Sequence, residues 1–138
     1  MEVELTDSII DLQRSYGRLD DPACGAAVLF VGRVRDHNDG RAVSYIRYTA
    51  HKSMVLAEGE RILREAAQKF GLRKSLIVHY VGDLGVGGIS VVVGAATPHR
   101  GVSFAATSWI MEEVKRRLPV WKEEYYVEGG HAWPQNMP

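Results

Sequence analysis

Apolar positions recur with a helical period in two long segments of the chain. From residue 53 to residue 70 they lie three or four positions apart, which places them on one face of a helix, and Gly71 follows where glycine commonly closes a helix. The residues on this face are Val55, Gly59, Ile62, Ala66 and Phe70. A second long helix is predicted up to Pro119, which cannot continue it. Its apolar face consists of Val102, Ala106, Ile110, Val114 and Leu118.

A shorter amphipathic segment at residues 9–16, closed by Gly17, predicts a third helix. Five further segments are rich in β-branched and apolar residues, as strands are. They are residues 26–34, 42–49, 76–81, 89–96 and 120–127.

The connections between these segments indicate how the strands pair. Turn formers at 36–40 predict a hairpin with a polar tip between the first two strands, and a glycine-rich turn at 82–88 separates the next two. Hairpins imply antiparallel pairing, and strands and helices come in mixed order. We therefore expect an α+β sandwich of sheet and helices in one domain over residues 1–138, rather than a doubly wound sheet. The tail from Gly129 is expected to wrap a surface or reach a neighbouring subunit.

The composition is that of an ordinary globular domain. The chain has 138 residues, 46% of them hydrophobic, and its 17 Lys and Arg balance its 17 Asp and Glu. At this length folding buries about two-thirds of the surface of the unfolded chain, so stability requires neither a metal nor a disulfide. A formal net charge of zero argues against a broad basic surface for nucleic acid.

Two observations bear on the cellular compartment. Cys24 is the only cysteine, so it cannot form an intramolecular disulfide, and a reducing compartment is the simplest setting. The acidic residues 1–11 are unlike a signal peptide, and no stretch approaches the roughly 18 apolar residues of a membrane span. We therefore expect a cytoplasmic protein without a membrane partner.

Several familiar motifs fail on this chain. The glycine-rich turn would need glycine in place of Ser90 for a dinucleotide fingerprint, and lysine in place of Gly88 for a phosphate-binding loop. The five histidines show no paired ligand spacing, so we expect neither a metal site nor a bound cofactor. Cys24 has no adjacent basic residue that would lower its pKa, which favours a buried structural cysteine over a nucleophile.

In four segments of the chain, basic residues stand at the end of a predicted element, where binding sites are usually built. They are Arg33 and Arg35 after a strand, His99 and Arg100 before a helix, Lys115 near the end of that helix, and Lys122 beyond Pro119. A helix N-terminus offers backbone N–H groups and the positive end of a dipole, so His99 and Arg100 favour an anion such as phosphate. Each residue alone is more often a solvated surface charge, so the prediction depends on the set.

Lys115 and Lys122 form the most informative pair. They are seven residues apart, but Pro119 interrupts the helix between them, so they converge only if the chain folds back. Two ammonium groups in one partly desolvated pocket depress each other's pKa, which suits a base or a nucleophile. The spacing is equally consistent with a Lys115 that only stabilises the C-terminal dipole of its helix.

Four blocks of the chain resemble the large, catalytic subunit of molybdopterin synthase. They are FVGRVRDHN at residues 30–38, His99-Arg100 after a strand, Trp109-Ile110-Met111 in the second long helix, and Lys115 followed by LPVWKE at 118–123. The blocks occur in the order of that family and at similar spacing. The likeness covers residues 25–133, and the combination is far more specific than any single block.

The resemblance implies an enzyme of molybdenum cofactor biosynthesis, a sulfurtransferase that adds two sulfurs to cyclic pyranopterin monophosphate and so makes the dithiolene of molybdopterin. In this family the sulfur arrives as a thiocarboxylate on the C-terminal glycine of a small ubiquitin-like subunit, and not on a residue such as Cys24. The large subunit forms a central homodimer within a heterotetramer. Its fold is an α/β hammerhead with an additional antiparallel sheet, which agrees with the α+β expectation.

The resemblance also implies roles for individual residues. Lys115 is expected to act as general acid/base and to capture the tail of the small subunit, and Lys122 to position substrate and stabilise developing negative charge. The expected substrate-binding residues are Arg33, Val34, Arg35, His99, Arg100, Lys115, Lys122, Glu123 and Glu124. Members of the family commonly use a tail arginine that reaches the neighbouring subunit, whereas this chain has no arginine after Arg117 and offers His131 instead.

Two other classes of function are weighed against the enzyme. A non-catalytic module could hold a phosphorylated ligand or a ubiquitin-like partner through the same basic residues, but Arg35 and Arg100 alone would suffice for that. The additional pair Lys115 and Lys122 favours the enzyme. A nucleic-acid binder would need a basic face with interleaved aromatic residues, which the balanced charge does not support.

Overall fold

The computed structural model describes residues 1–134, over which the chain forms nine strands and three helices. The strands are β1 Glu2–Thr6, β2 Ala26–Arg33, β3 His37–Asn38, β4 Arg41–Ala50, β5 Lys74–Tyr80, β6 Gly82–Gly85, β7 Ile89–Thr97, β8 Val120–Tyr126 and β9 His131–Ala132. The helices are α1 Leu12–Gly17, α2 Lys52–Phe70 and α3 Arg100–Arg117. Among these described residues, no helix is both long and apolar enough to cross a membrane.

A four-stranded sheet with the order β1-β5-β7-β2 carries both long helices. β1 joins β5 in parallel, and the other pairs are antiparallel. The helices pack on one face of this sheet because each presents an apolar stripe that must be buried. Solvent is fully excluded there from Val55 and Ile62 of α2, Ala106 and Ile110 of α3, and Val93 of β7.

A second, antiparallel sheet has the order β3-β4-β8-β9. β6 also pairs with β4, on the edge of β4 that faces away from β8. One face of this sheet contributes Val43, Ile46, Tyr48 and Tyr126 to a core cluster of its own. The helices and the two sheets together confirm the predicted α+β, hammerhead-like fold with an additional antiparallel sheet.

The predicted hairpin between residues 26–34 and 42–49 is wrong. β2 is an edge strand of the first sheet and pairs with β7, whereas β4 lies in the second sheet. The turn formers close the short β3–β4 hairpin instead. Its central residues, Asp39 and Gly40, have φ angles of 50° and 75°, as a two-residue hairpin turn requires. Alternation of apolar residues identifies a strand but not its partner.

Smaller differences concern strands that carry weak patterns. β1 was not predicted, because its alternating acidic residues mask the apolar ones. β6 lies inside the predicted glycine-rich turn, where backbone pairing with β4 needs no apolar side chains. In the tail, β9 pairs with β8 of the same chain, while residues 135–138 lie outside the described part.

The ends of the long helices follow the sequence prediction. Gly71 closes α2 in the left-handed conformation, with a φ of 66°. α3 ends at Arg117, and Leu118 is already extended ahead of Pro119. Arg117 also joins the two helices, because its guanidinium donates to Glu58 at 2.8 Å and to Glu65 at 2.7 Å. The last turn of α3 is thereby held against α2.

Candidate functional site

A cavity of about 360 Å³ lies where the last turn of α3 meets both sheets. This volume is in the range of small-molecule sites. Apolar side chains such as Phe30, Met111 and Leu118 form part of its wall. The polar side chains that line it are Arg33, Arg35, His37, Tyr48, His79, Ser90, Glu112, Lys115, Lys122 and Glu124.

The end of β2 directs its two arginines into the cavity. A register shift between Gly32 and Arg33 interrupts the pairing with β7, and such a bulge bends the strand and re-aims the side chain that follows. Gly32 is required there, because a Cβ at this position would lie 2.7 Å from Val91 Cγ1. Arg33 and Arg35 thus line the cavity, whereas Val34 between them is buried in the core of the second sheet.

The glycine-rich turn after β6 serves this segment as a backbone partner. The Val34 N–H donates to the carbonyl of Gly88 at 2.9 Å, and the Gly87 N–H donates to the Val34 carbonyl at 2.8 Å. Gly87 has a φ of 83°, which disfavours other residues. The turn is therefore a fixed support for the arginine segment, and not only a flexible link between strands.

Lys115 and Lys122 reach the same cavity from two different elements. Lys115 lies in the last turn of α3, and the chain then reverses through Leu118 and Pro119 into β8, where Lys122 is the third residue. The chain thus folds back between Lys115 and Lys122, as their convergence requires. Lys115 is exposed at the rim, and Lys122 is half-buried deeper in the cavity.

The surroundings of Lys122 favour its uncharged form. Burial is the main cause that lowers the pKa of Lys122, and the charges of Lys115 and Arg35 lower it further. The carboxylate of Glu124 acts in the opposite direction. The charge of Lys115 thus contributes to the lowered pKa of Lys122, but less than burial does.

Glu123 and Glu124 point to opposite faces of β8. Glu124 lines the cavity, and its Oε1 accepts hydrogen bonds from Asn38 Nδ2 at 2.9 Å and from the Tyr126 hydroxyl at 3.1 Å. Glu123 is buried on the other face, where it accepts a hydrogen bond from the Tyr125 hydroxyl and pairs with His131. The structure therefore brings Glu124, but not Glu123, to the predicted site.

His99 and Arg100 lie at the other end of α3. They are exposed at its N-terminus, near Gly25, whose N–H donates to the carbonyl of Pro98. Fifteen residues of helix separate Arg100 from Lys115, which is about 22 Å at 1.5 Å per residue. Neither His99 nor Arg100 lines the cavity of its own chain.

Several cavity residues were not singled out from the sequence, among them Tyr48, His79 and Ser90. Tyr48 lies directly opposite Lys122 on β4, and its ring meets the ring of His79 edge-on with centroids 5.5 Å apart. The Ser90 hydroxyl donates to the Gly32 carbonyl at 3.2 Å. Residues of this kind become visible only once the register of β4 and β8 and the contact between the two sheets are known.

His79 is buried at the end of β5, and its Nδ1 donates to the carbonyl of Tyr80 at 2.8 Å. Burial lowers the pKa of His79 to about 4, and the charge of Lys122 contributes. At neutral pH the cavity wall therefore includes an uncharged imidazole.

The remaining candidates lie apart from this cavity. Cys24 lines a smaller cavity of about 100 Å³ beside α1, and burial raises the pKa of its thiol. Within residues 1–134, no three His, Cys, Asp or Glu side chains are grouped so that they could hold a metal ion.

The cavity has the chemistry of an anion site with a proton-transfer group. The four cations Arg33, Arg35, Lys115 and Lys122 outnumber the two carboxylates of Glu112 and Glu124. Arginine suits the oxygens of a phosphate, and a lysine amine at the rim of the cavity can transfer a proton. A partly apolar wall and an aromatic side chain, Phe30, suit a flat heterocycle.

Comparison with known proteins gives consistent results. The model of a family described as MoaE protein matches residues 5–117. The chain is 36% identical over 136 residues to the molybdopterin synthase catalytic subunit of Emericella nidulans, which covers 99% of this chain and 70% of that relative.

Solved structures share the fold. The molybdopterin synthase structure from Staphylococcus aureus superposes with a TM-score of 0.90 at 27% identity and covers 95% of each chain. A chain from Helicobacter pylori, solved in a complex of subunits 1 and 2 of molybdopterin-converting factor, has a TM-score of 0.78 at 18% identity and covers 96% of this chain and 90% of that one.

Proposed function

Since this chain belongs to the MoaE protein family and is thus an enzyme subunit of molybdenum cofactor biosynthesis, we propose that its reaction is the transfer of two sulfurs to cyclic pyranopterin monophosphate. The observation that carries the proposal is the meeting of Arg33, Arg35, Lys115 and Lys122 in one cavity. These residues come from three separate parts of the sequence and from three different elements.

The arginines are assigned to the anionic part of the substrate. Arg33 and Arg35 lie on the same segment, and their guanidinium groups can offer several N–H donors to a phosphate. Val34 contributes backbone only, since its side chain is buried and its N–H and carbonyl are both paired with the glycine-rich turn. Its role in the site is to hold the two arginines in position.

The two lysines are assigned to the chemistry. Lys122, half-buried and close to Glu124, stabilises negative charge that develops on the substrate. Lys115 at the rim is the general acid/base, and its exposed position allows it also to meet the C-terminal glycine of a partner. Glu124 orients Lys122, whereas Glu123 supports the strand from its other face.

The sulfur donor in this proposal is a small ubiquitin-like subunit with a C-terminal thiocarboxylate. A negatively charged tail suits a cavity in which cations outnumber carboxylates. The two-subunit complex in which the Helicobacter pylori chain was solved is consistent with such a partner. We assign the reaction to the cytoplasm, where a lone cysteine such as Cys24 stays reduced.

In this proposal His99 and Arg100 bind substrate only if the chain forms the predicted homodimer. Because they lie about 22 Å along α3 from Lys115, they cannot serve the cavity of their own chain. In a symmetric dimer the same surfaces face each other, so the α3 N-terminus of one copy can complete the cavity of the other.

The test is a reconstituted reaction. The purified chain is mixed with thiocarboxylated small subunit and cyclic pyranopterin monophosphate, and molybdopterin is measured as its oxidised fluorescent derivative. Product is expected, and Lys115→Ala should lower its rate at least about 100-fold, the scale of a lost general acid/base. Binding of the small subunit should remain.

Arg116→Ala is the matched control, because Arg116 is the next residue, is exposed, and donates to Glu113 rather than lining the cavity. Full activity of Lys115→Ala would refute the role of Lys115. Absence of product from the unaltered chain, with both partners bound, would instead support a non-catalytic module for a phosphorylated ligand.

A further inference from the structure

The hydrogen bonding of His79 fixes its tautomer. Its Nδ1 lies 2.8 Å from the carbonyl of Tyr80, which can only accept, so Nδ1 carries the proton. In an uncharged imidazole the other nitrogen, Nε2, is then an acceptor. The edge-on contact with the Tyr48 ring and the burial of the side chain leave the imidazole little freedom to turn.

The Nε2 atom has no hydrogen-bond donor in the part of the chain that the structure describes, residues 1–134. Among the described residues, the fully buried side-chain polar atom without a partner is Ser75 Oγ, so the unpaired Nε2 of His79 keeps an accessible surface. His79 forms part of the cavity wall, so a ligand in the cavity can reach it.

On its other walls the cavity offers more hydrogen-bond donors than acceptors. Arginine and lysine side chains only donate. The Ser90 hydroxyl donates to the Gly32 carbonyl, and Oε1 of Glu124 already accepts two hydrogen bonds. Anionic groups of a ligand are therefore well served by the cavity, whereas N–H groups of a heterocycle can be met by the carboxylates of Glu112 and Glu124 or by the uncharged Nε2 of His79.

We propose that His79 is a specificity-determining residue, whose Nε2 accepts a hydrogen bond from an N–H group on the edge of the bound pterin ring. The role rests on the proposed function, because it assumes that the cavity holds a pterin. Arginines and lysines hold the anionic part of the ligand, and His79 distinguishes the ring from other phosphorylated molecules.

Two variants separate this role from a structural one. In His79→Asn the amide nitrogen takes the place of Nδ1, so the hydrogen bond to Tyr80 is kept and the acceptor is lost. In His79→Gln the amide oxygen takes the place of Nε2, so the acceptor is kept and the bond to Tyr80 is lost. Binding is measured by calorimetry, with the complex of the chain and its unloaded small subunit.

The probes are cyclic pyranopterin monophosphate and inorganic phosphate. We expect His79→Asn to weaken binding of the pterin roughly ten- to a hundredfold, the scale of one unmatched buried hydrogen bond, and His79→Gln to restore most of it. Binding of inorganic phosphate should be the same in all three proteins. If His79→Asn binds the pterin as the unaltered chain does, the proposal is overturned.

A spectroscopic measurement does not depend on how the variants fold. In the unaltered complex, labelled with ¹⁵N-histidine, the Nε2 resonance of His79 should shift when the pterin binds and stay in place when inorganic phosphate binds. An Nε2 resonance that the pterin leaves unchanged would overturn the assignment of His79 alone. An unaltered complex that binds no pterin would overturn the proposed function with it.

Discussion

The two ends of α3 carry similar residues in very different surroundings. At the C-terminal end, Lys115 joins Lys122 and two arginines around a cavity of about 360 Å³. At the N-terminal end, His99 and Arg100 are exposed, and neither lines the cavity of its own chain. The same sequence pattern, basic residues at the end of an element, thus has two different surroundings in space, and only the first lines this cavity within one chain.

The comparison teaches what each end needs in order to act. The cavity at the C-terminal end is assembled from one chain, because the reversal at Pro119 brings β8 back beside the helix. The N-terminal end has the helix dipole and two cationic or hydrogen-bonding side chains, but nothing that encloses a ligand. In the proposed function, this end takes part only when the surface of a second copy covers it.

The largest effect is expected from combining variants of the two ends. Arg100→Ala alone should lower the rate about ten- to a hundredfold through a lost charged hydrogen bond, and Lys115→Ala alone should lower it more. If Arg100 serves the partner copy, a co-expressed mixture of the two variants regains activity, because each mixed dimer holds one site with both residues intact. The measurement is the rate of molybdopterin formation by the mixture.

Lys115→Ala mixed with Lys122→Ala is the control for that experiment. Both lysines line the same cavity of one chain, so every site in a mixed dimer lacks one of them, and activity should not return. If activity returns in this control, the assignment of Arg100 to a second copy is contradicted. The same holds if both single variants are inactive and their mixture, Arg100→Ala with Lys115→Ala, regains no activity.

An intermediate effect, on stability, is expected at the cavity end. Because the pKa of Lys122 is lowered, the native state binds fewer protons there than the unfolded state between that depressed value and about 10.5, and stability rises with pH in this window. Below this pH window Lys122 is protonated in both states, and the cost of burying its charge lowers the free energy of unfolding in full. Lys122→Met should therefore raise Tm by a few degrees at neutral pH and abolish turnover, and its advantage should fade toward pH of about 10.5.

Thermal unfolding at neutral and alkaline pH checks that prediction. The matched substitution at the other end of α3, Arg100→Met, removes an exposed charge and should leave Tm nearly unchanged. A Lys122→Met protein that is less stable than the unaltered chain at neutral pH would mean that the attraction to Glu124 outweighs the burial of Lys122.

Much of the fold was predictable because its signals are local. The apolar period of α2 and α3, the left-handed Gly71 and the break at Pro119 depend on residues within one or two turns of each other. The pairing of β2 with β7 was not predictable, because an apolar strand such as residues 26–34 can pair with any exposed edge. The error of the β2–β4 hairpin follows from this.

The site was predictable in part for the same reason. Lys115 and Lys122 are separated by a single reversal, and the proline between them marks it. Tyr48 and His79 enter the cavity through the register of β4 with β8 and through the contact between two sheets, neither of which leaves a trace in residue spacing. The position of Glu123 outside the cavity follows instead from the alternation of side chains along β8, which turns it to the face opposite Lys122 and Glu124.

The smallest effect is expected at Cys24. This cysteine lines a different cavity from the lysines, and burial raises the pKa of its thiol, so it is a poor sulfur carrier at neutral pH. Cys24→Ser should leave the rate of molybdopterin formation unchanged within about twofold and alter stability little. A marked loss of product with normal unfolding would place sulfur chemistry on this side of the molecule.

The alternation of faces along β8 makes the site sensitive to chain length as well as to side chains. An insertion of one residue at the Leu118–Pro119 reversal would move Trp121 into the place of Lys122 and turn the lysine to the opposite face. An insertion of two would keep the face but displace the lysine about 7 Å along the strand. Insertions and deletions in this short connection would therefore abolish function while every cavity residue remained in the sequence.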